Sequence, residues 1–146
     1  MKAESRFEHE LIEEFEDGEC IFEEGSNDRD LYIVQDGRVT IQKKSEAGLI
    51  EMAEFKKGDF FGDMSLLQST PRYAGAYSKG RTRLLILKPA GFLLKIRRDP
   101  TFAFEMLQQM SYRVKVSNDR ILDLIHTFKI PVEEVQKILH KFGDNS

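Results

Sequence analysis

A chain of 146 residues with a formal net charge of -3, from 22 basic and 25 acidic residues, has room for one domain of ordinary size plus short appendages. Its basic residues are scattered among acids and lack the positive face of a nucleic-acid binder. The single cysteine, Cys20, excludes an internal disulfide and a cysteine-based metal cluster within the chain, and its simplest reading is a buried free thiol on a strand.

No run approaches the roughly 20 apolar residues that cross a bilayer, and the opening MKAESRFEHE has no hydrophobic signal segment. Membrane insertion is therefore not expected, and the localisation that follows is cytoplasmic. From Phe7 to Leu87 short β-rich runs alternate with turns marked by glycine and acids. Candidate strands in chain order are ELIEEF, ECIFEEG, DLYIVQ, RVTIQKK, LIEMAEF, DFFG, YAGAYSK and RTRLLILK. The turns EDGE, DGR, EAG and KKGD contain Gly18, Gly37, Gly48 and Gly58, which supply the positive φ such turns often need. About eight strands without long intervening helices predict a mainly β fold with added α: an eight-stranded antiparallel β-roll of jelly-roll type, followed by carboxy-terminal helices.

After Lys88 the period changes. PAGFLLKIRRD predicts a short helix opened by Pro89, in which KIRR, Lys95 to Arg98, is favourable charge at the carboxy-terminal end. A long helix over about 100–129 follows, with Asp99 as N-cap and Pro100 as its first residue, and Pro131 stops it. The last segment, 131–143, reads as an amphipathic helix with Val132, Val135, Ile138, Leu139 and Phe142 on one side and Gly143 as its stop. Along the long helix Leu107, Met110, Val114, Ile121, Leu124 and Phe128 recur at alternating spacings of three and four, with Ser117 at the one seam position that is not apolar. A 3.5-residue repeat held over three heptads favours a homodimer paired through this helix over packing on its own barrel. The domain proper is thus expected over 1–128.

The stretch FFGDMSLLQSTPRYAGA, Phe60 to Ala76, offers what an anion needs. Gly62 lets the backbone approach a ligand, a short helical run from about Asp63 exposes backbone N–H groups, and Arg72 adds a permanently charged fork for two phosphate oxygens. Asp63 would repel an adjacent phosphate, so it suits a sugar hydroxyl beside one; equally, it could be the N-cap of MSLL. On local chemistry alone, a phosphate or sugar site and a capped surface turn both remain open.

The run GECIFEEGSNDRDLYIVQDGRVTI, followed by GDFFGDMSLLQSTPRYA, resembles the cyclic nucleotide-binding domain family, of catabolite activator protein and protein kinase A regulatory subunit type. The resemblance extends from about Leu11 to about Phe128. It implies an eight-stranded β-roll, a short helix in a phosphate-binding cassette, and carboxy-terminal helices that close over the ligand. It also implies that Gly62 and the backbone around Ser65, Met64 included, receive the cyclic phosphate, and that Arg72 pairs with its exocyclic oxygens. Asp63 stands where ligand-binding members usually have Glu to accept the ribose hydroxyl. Being one methylene shorter, it needs a closer backbone or a bridging water. Tyr73 stands where a small residue is usual; a ring turned into the pocket would crowd the ligand, whereas one turned into the core would leave the site intact. Ser117 and Asn118 resemble the small polar pair that touches the base. Gly75 stands where guanine-preferring members often have Thr, so cyclic AMP is the expected ligand before cyclic GMP, with no other cofactor.

A metal-dependent cupin enzyme shares the β-roll architecture but needs several histidines inside the roll. Here His9 precedes the main strands, while His126 and His140 are on the terminal helices, so no enzyme activity is expected. Only 15 residues follow Pro131, too few for a helix-turn-helix, so direct DNA binding is not expected and output would pass through the dimer or a protein effector. The rival expectation is a nucleotide-free member of the same fold acting as a dimerisation or protein-docking module, suggested by Asp63 and Tyr73.

Overall fold

The computed structural model describes the backbone of residues 3–7 and 10–143 and the side chains of 10–141; His9 and the side chain of Phe142 lie outside the described residues. The chain forms two compact units, divided between Ala103 and Phe104.

In the first unit, seven strands form one antiparallel sheet: β1 (Ala3–Phe7), β2 (Glu10–Phe15), β3 (Cys20–Phe22), β4 (Leu31–Ser45), β5 (Gly48–Lys56), β6 (Phe60–Phe61) and β7 (Gly75–Leu87). The order is β1-β2-β7-β4-β5, with β3 also paired to β7 and β6 to β4. This is the expected antiparallel β-roll, with its strands divided differently. DLYIVQ and RVTIQKK are one strand, as are YAGAYSK and RTRLLILK, while β1 precedes all the expected strands.

The DGR segment does not reverse the chain. Gly37 has φ 85°, and the ladder between β4 and β7 shifts register on either side of Asp36. Glycine in a strand interior often marks such an irregularity or a close backbone approach. Both hold here, because a Cβ on Gly37 would lie 2.7 Å from Thr82 Cα. Cys20 corrects a second expectation: it lies on β3 but is exposed. The β3–β7 ladder shifts register between Cys20 and Phe22, so simple alternation does not carry Cys20 to the buried face that Phe22 occupies.

Phe15, Phe22, Tyr32, Val34, Val39, Phe61, Ala76, Leu84 and Ile86 form the core of the roll. Each large side chain withdrawn from water in this way contributes about 1.5–3 kcal/mol. Tyr32 and Phe61 stack at 5.1 Å between centroids, and Phe55 stacks on Phe61 at 5.8 Å. This aromatic layer pins β6 to β4 and so fixes where the chain leaves toward residue 62.

Among the described residues there are four helices: α1 (Asp63–Gln68), between β6 and β7, then α2 (Pro89–Arg98), α3 (Pro100–Phe128) and α4 (Val132–Gly143). Pro89 opens α2, Phe92 buries its inner face, and Lys95, Arg97 and Arg98 occupy its last turn, where positive charge meets the negative end of the helix dipole. Asp99 Oδ1 accepts a hydrogen bond from Phe102 N at 3.1 Å, which makes Asp99 the N-cap ahead of Pro100. Lys129 adopts the left-handed conformation, φ 51°, between α3 and Pro131. In the second unit Leu107, Val114, Ile121, Leu124 and Phe128 of the heptad seam are 42–70% exposed. No helix among the described residues is long and apolar enough to cross a membrane.

Candidate functional site

Between β6 and α1 the backbone must turn sharply, and Gly62 does so at φ 87°, ψ 4°. A Cβ there would meet Asp30 O at 2.8 Å and Arg72 Nη1 at 2.9 Å, so the residue meets both the conformational and the steric demand that only glycine satisfies. Gly62 is also the N-cap of α1, without a side-chain capping bond, and Asp63 is the first helical residue rather than the cap. At the other end Ser69 takes φ 57° and returns its N–H to Ser65 O at 3.0 Å.

This turn and residues 72–74, just ahead of β7, border a cavity of about 120 Å³. Gly62, Asp63, Met64, Ser65, Arg72 and Tyr73 line it on the cassette side, while Phe22, Ile41, Ala53, Phe55, Phe61 and Ala74 supply an apolar wall from the roll. Six of the eight expected site residues are thus brought together. The other two, Ser117 and Asn118, are exposed positions of α3 in the second unit.

Arg72 is 3% exposed. Its Nη1 donates to Gly62 O at 2.8 Å and its Nη2 to Asp30 O at 2.7 Å. Nη2 also lies 3.0 Å from Asp28 Oδ2, and the guanidinium sits 4.1 Å above the Phe22 ring. Among the described residues two buried side-chain polar atoms make no hydrogen bond: Arg72 Nε and Ser65 Oγ. Buried polar atoms are rarely left so, and these two belong to residues lining one cavity.

The three residues preceding β4 organise the site. Burial pushes the Asp28 carboxyl up, but hydrogen bonds from Tyr32 Oη and Asp30 N–H, together with the Arg72 guanidinium, outweigh it and hold the carboxyl below the ordinary aspartate value. Asp28 therefore remains an anion opposite Arg72 at neutral pH. Arg29 reaches the far end of α1, where its Nη2 lies 2.8 Å from Ser69 Oγ and 3.4 Å from Leu66 O. Asp30 Oδ2 pairs with Lys88 Nζ at 2.8 Å, at the N-cap of α2. Sequence reasoning missed this segment; the available signal was the charged DRD immediately before a strong apolar strand.

Tyr73 does not turn into the core: it is 52% exposed and borders the cavity, and Lys43 Nζ stands 4.1 Å from its ring centroid.

A family model, the cyclic nucleotide-binding domain, matches residues 12–99. The chain belongs to the cyclic nucleotide-binding domain family. It is 33% identical over 109 residues to the cyclic AMP receptor protein of Thermus thermophilus, covering 74% of this chain and 50% of that protein. It is 34% identical over 77 residues to the cAMP-dependent protein kinase regulatory subunit of Yarrowia lipolytica, covering 53% of this chain and 20% of that protein. The crystal structure of the Thermus thermophilus catabolite activator protein superposes with a TM-score of 0.70 at 30% identity, covering 82% of this chain and 56% of that one. This domain therefore spans half or less of the length of these two curated relatives. Within it, the cassette turn, Arg72 and the cavity all fall between residues 12 and 99. Among the described residues no group of three or more His, Cys, Asp or Glu is placed to hold a metal ion.

Proposed function

We propose that this domain is a cytoplasmic regulatory module that binds a cyclic mononucleotide, cyclic AMP before cyclic GMP, and carries no catalytic step of its own. The observation that carries the proposal is the pair of unpartnered buried atoms, Arg72 Nε and Ser65 Oγ. One is a donor and the other a rotatable hydroxyl, and both belong to residues on the wall that an anionic phosphate would meet. Gly62, Met64 and Ser65 would hold the phosphate with Arg72, and Asp63 would accept a ribose hydroxyl. Tyr73 would border the ligand, and Ser117 and Asn118 would meet the base. The preference for cyclic AMP is supported by the two relatives described above, both linked to cyclic AMP, and by Gly75, where an added Cβ would lie 2.9 Å from the Tyr77 ring. Binding would bias the arrangement of the helices from Phe102 onward, a shift bounded by the ligand's differential affinity for the two arrangements. A homodimer through the exposed seam of α3, or a protein effector, would receive it.

Calorimetric titration with cyclic AMP and cyclic GMP tests this, with melting measured in parallel. The expected result is heat of binding and a raised melting temperature, stronger for cyclic AMP. A specific observation supports a second reading: both Arg72 Nη atoms already have protein partners, so this arginine also serves a nucleotide-free docking module. Absence of heat and of a melting shift at millimolar ligand refutes the sensor and leaves the docking module.

A further inference from the structure

Arg72 does not meet a ligand as a free cation, because Asp28 lies 3.0 Å from its Nη2. Arg29, the neighbouring guanidinium, is engaged by Ser65 O, Leu66 O and Ser69 Oγ of the α1 segment. A phosphate entering the cavity thus meets an arginine whose charge is already offset, and a second cation would complete the site.

Lys43 is placed to be that cation. Ile41 lines the cavity, and Lys43, two residues further along β4, shares its face. The register slip in the β4–β5 ladder passes from Ile41↔Ala53 to Gln42↔Glu51, so the extra residue lies on β5 and the alternation of β4 is kept. Lys43 itself stands beyond the cavity lining, at the rim, against Tyr73, which lines it. Its side chain is 29% exposed and that of its partner Glu24 is 23% exposed. Lys43 Nζ donates to Tyr73 O at 2.7 Å, next in the chain to Arg72, and rests 4.1 Å from the Tyr73 ring centroid. Glu24 Oε2 lies 3.2 Å from the same nitrogen. Glu24 and Lys43 meet at the rim beside Arg72, because Gly25 N donates to Arg72 O and Arg72 N to Ser26 O, both at 2.8 Å.

We propose that Lys43 is a second anion-binding residue of the cavity, held in readiness on the Tyr73 ring and carbonyl by Glu24, and transferred from the Glu24 carboxylate to the phosphate of the bound nucleotide. An ammonium has three N–H donors. The Tyr73 carbonyl retains one while the Glu24 contact is exchanged, so the move needs only side-chain rotation. The Tyr73 ring is then a cation–π support for the second charge. Glu24 is the competitor that keeps this charge from attracting anions indiscriminately. The inference rests on the proposed cyclic nucleotide site and extends it to two residues that no cassette motif contains.

The test is calorimetric titration of cyclic AMP into the wild type, K43M, K43R, E24Q and the E24Q/K43M double variant, with melting recorded for each. K43M is expected to weaken binding about tenfold, in line with the loss of one charge-assisted hydrogen bond, and K43R to stay within about threefold of wild type. E24Q is expected to tighten binding about threefold by releasing the ammonium, and this gain is expected to vanish in E24Q/K43M. A purely structural lysine would not produce that dependence. Wild-type affinity in K43M, or a gain from E24Q that survives removal of Lys43, overturns the assignment while leaving the cyclic nucleotide site standing. A wild type that binds no cyclic nucleotide overturns both. If K43M does not fold, K43Q replaces it in both the single and the double variant, and the same outcomes decide.

Discussion

Arg72→Ala is expected to unsettle the roll before any ligand is considered. The side chain is 1% exposed, and its removal strips donors from Gly62 O and Asp30 O and leaves the Asp28 carboxylate without its cation, held only by Tyr32 Oη and Asp30 N–H. Removing one member of a buried ion pair costs about 3–5 kcal/mol, mostly because the other charge stays behind. Asp28 is 27% exposed, so water recovers part of that and the lower end applies, about 3 kcal/mol. For a domain of this size that corresponds to a fall in melting temperature of roughly 10 °C or more. Urea unfolding of the ligand-free wild type and variant gives the difference directly, and Arg72→Lys is expected to recover less than half of it, since an ammonium cannot reach two carbonyls and a carboxylate as a planar fork does. A ligand-free Arg72→Ala within 1 kcal/mol of wild type would refute the clamp. The consequence for ligand work is practical: an affinity measured on this variant mixes the lost phosphate contact with the fraction unfolded, and only the folded fraction reports on binding.

Gly62→Ala is expected to act on the same clamp from the other side. Its φ of 87° disfavours any Cβ, and the new atom would lie 2.8 Å from a backbone oxygen that cannot yield cheaply. A loss of about 2–3 kcal/mol in urea unfolding follows from strain and overpacking together, and a neutral variant would show that the turn relaxes. On α3, Leu124 is 56% exposed within the heptad seam, and Leu124→Glu is expected to convert a dimer to a monomer in sedimentation. A wild type that sediments as a monomer would refute pairing through the seam.

The fold was legible because its signals are local. Alternation marked the strands, Pro89, Asp99 and Pro100 marked the helix starts, and Gly18, Gly37, Gly48 and Gly58 all have positive φ. What alternation cannot say is whether a glycine reverses a strand or bulges it. EDGE lies between strands, EAG and KKGD turn at the two ends of β5, which includes Gly48 and Lys56, while DGR lies within β4 because β7 pairs with it on both sides. The choice is made by a strand more than 40 residues away, as is the register slip that leaves Cys20 exposed on β3. Irregularities in a ladder belong to the pair of strands, and a single strand's sequence carries only half of that information.

The site divides along the same line. Gly62, Asp63, Met64, Ser65, Arg72 and Tyr73 come from one continuous segment, and the structure brings all of them to one cavity. The groups that determine what Arg72 can do, Asp28 and Asp30, reach it from more than 40 residues away. From sequence, Arg72 counts in favour of a ligand, since a chain that had abandoned phosphate would be free to lose it. The structure weakens that inference, because an arginine that ties the cassette to residues 28–30 would be kept for stability alone. What distinguishes a ligand site from a clamp is instead what the clamp leaves undone. A purely structural arginine at 3% exposure has every reason to satisfy all its donors, and a serine at 1% exposure gains nothing from an unpaired hydroxyl. Each unpaired atom costs on the order of 1–3 kcal/mol relative to a partnered or apolar alternative. Two such costs at one cavity wall are accounted for if a phosphate removes them on binding, so the proposed cyclic nucleotide site is compatible with an arginine that already has protein partners.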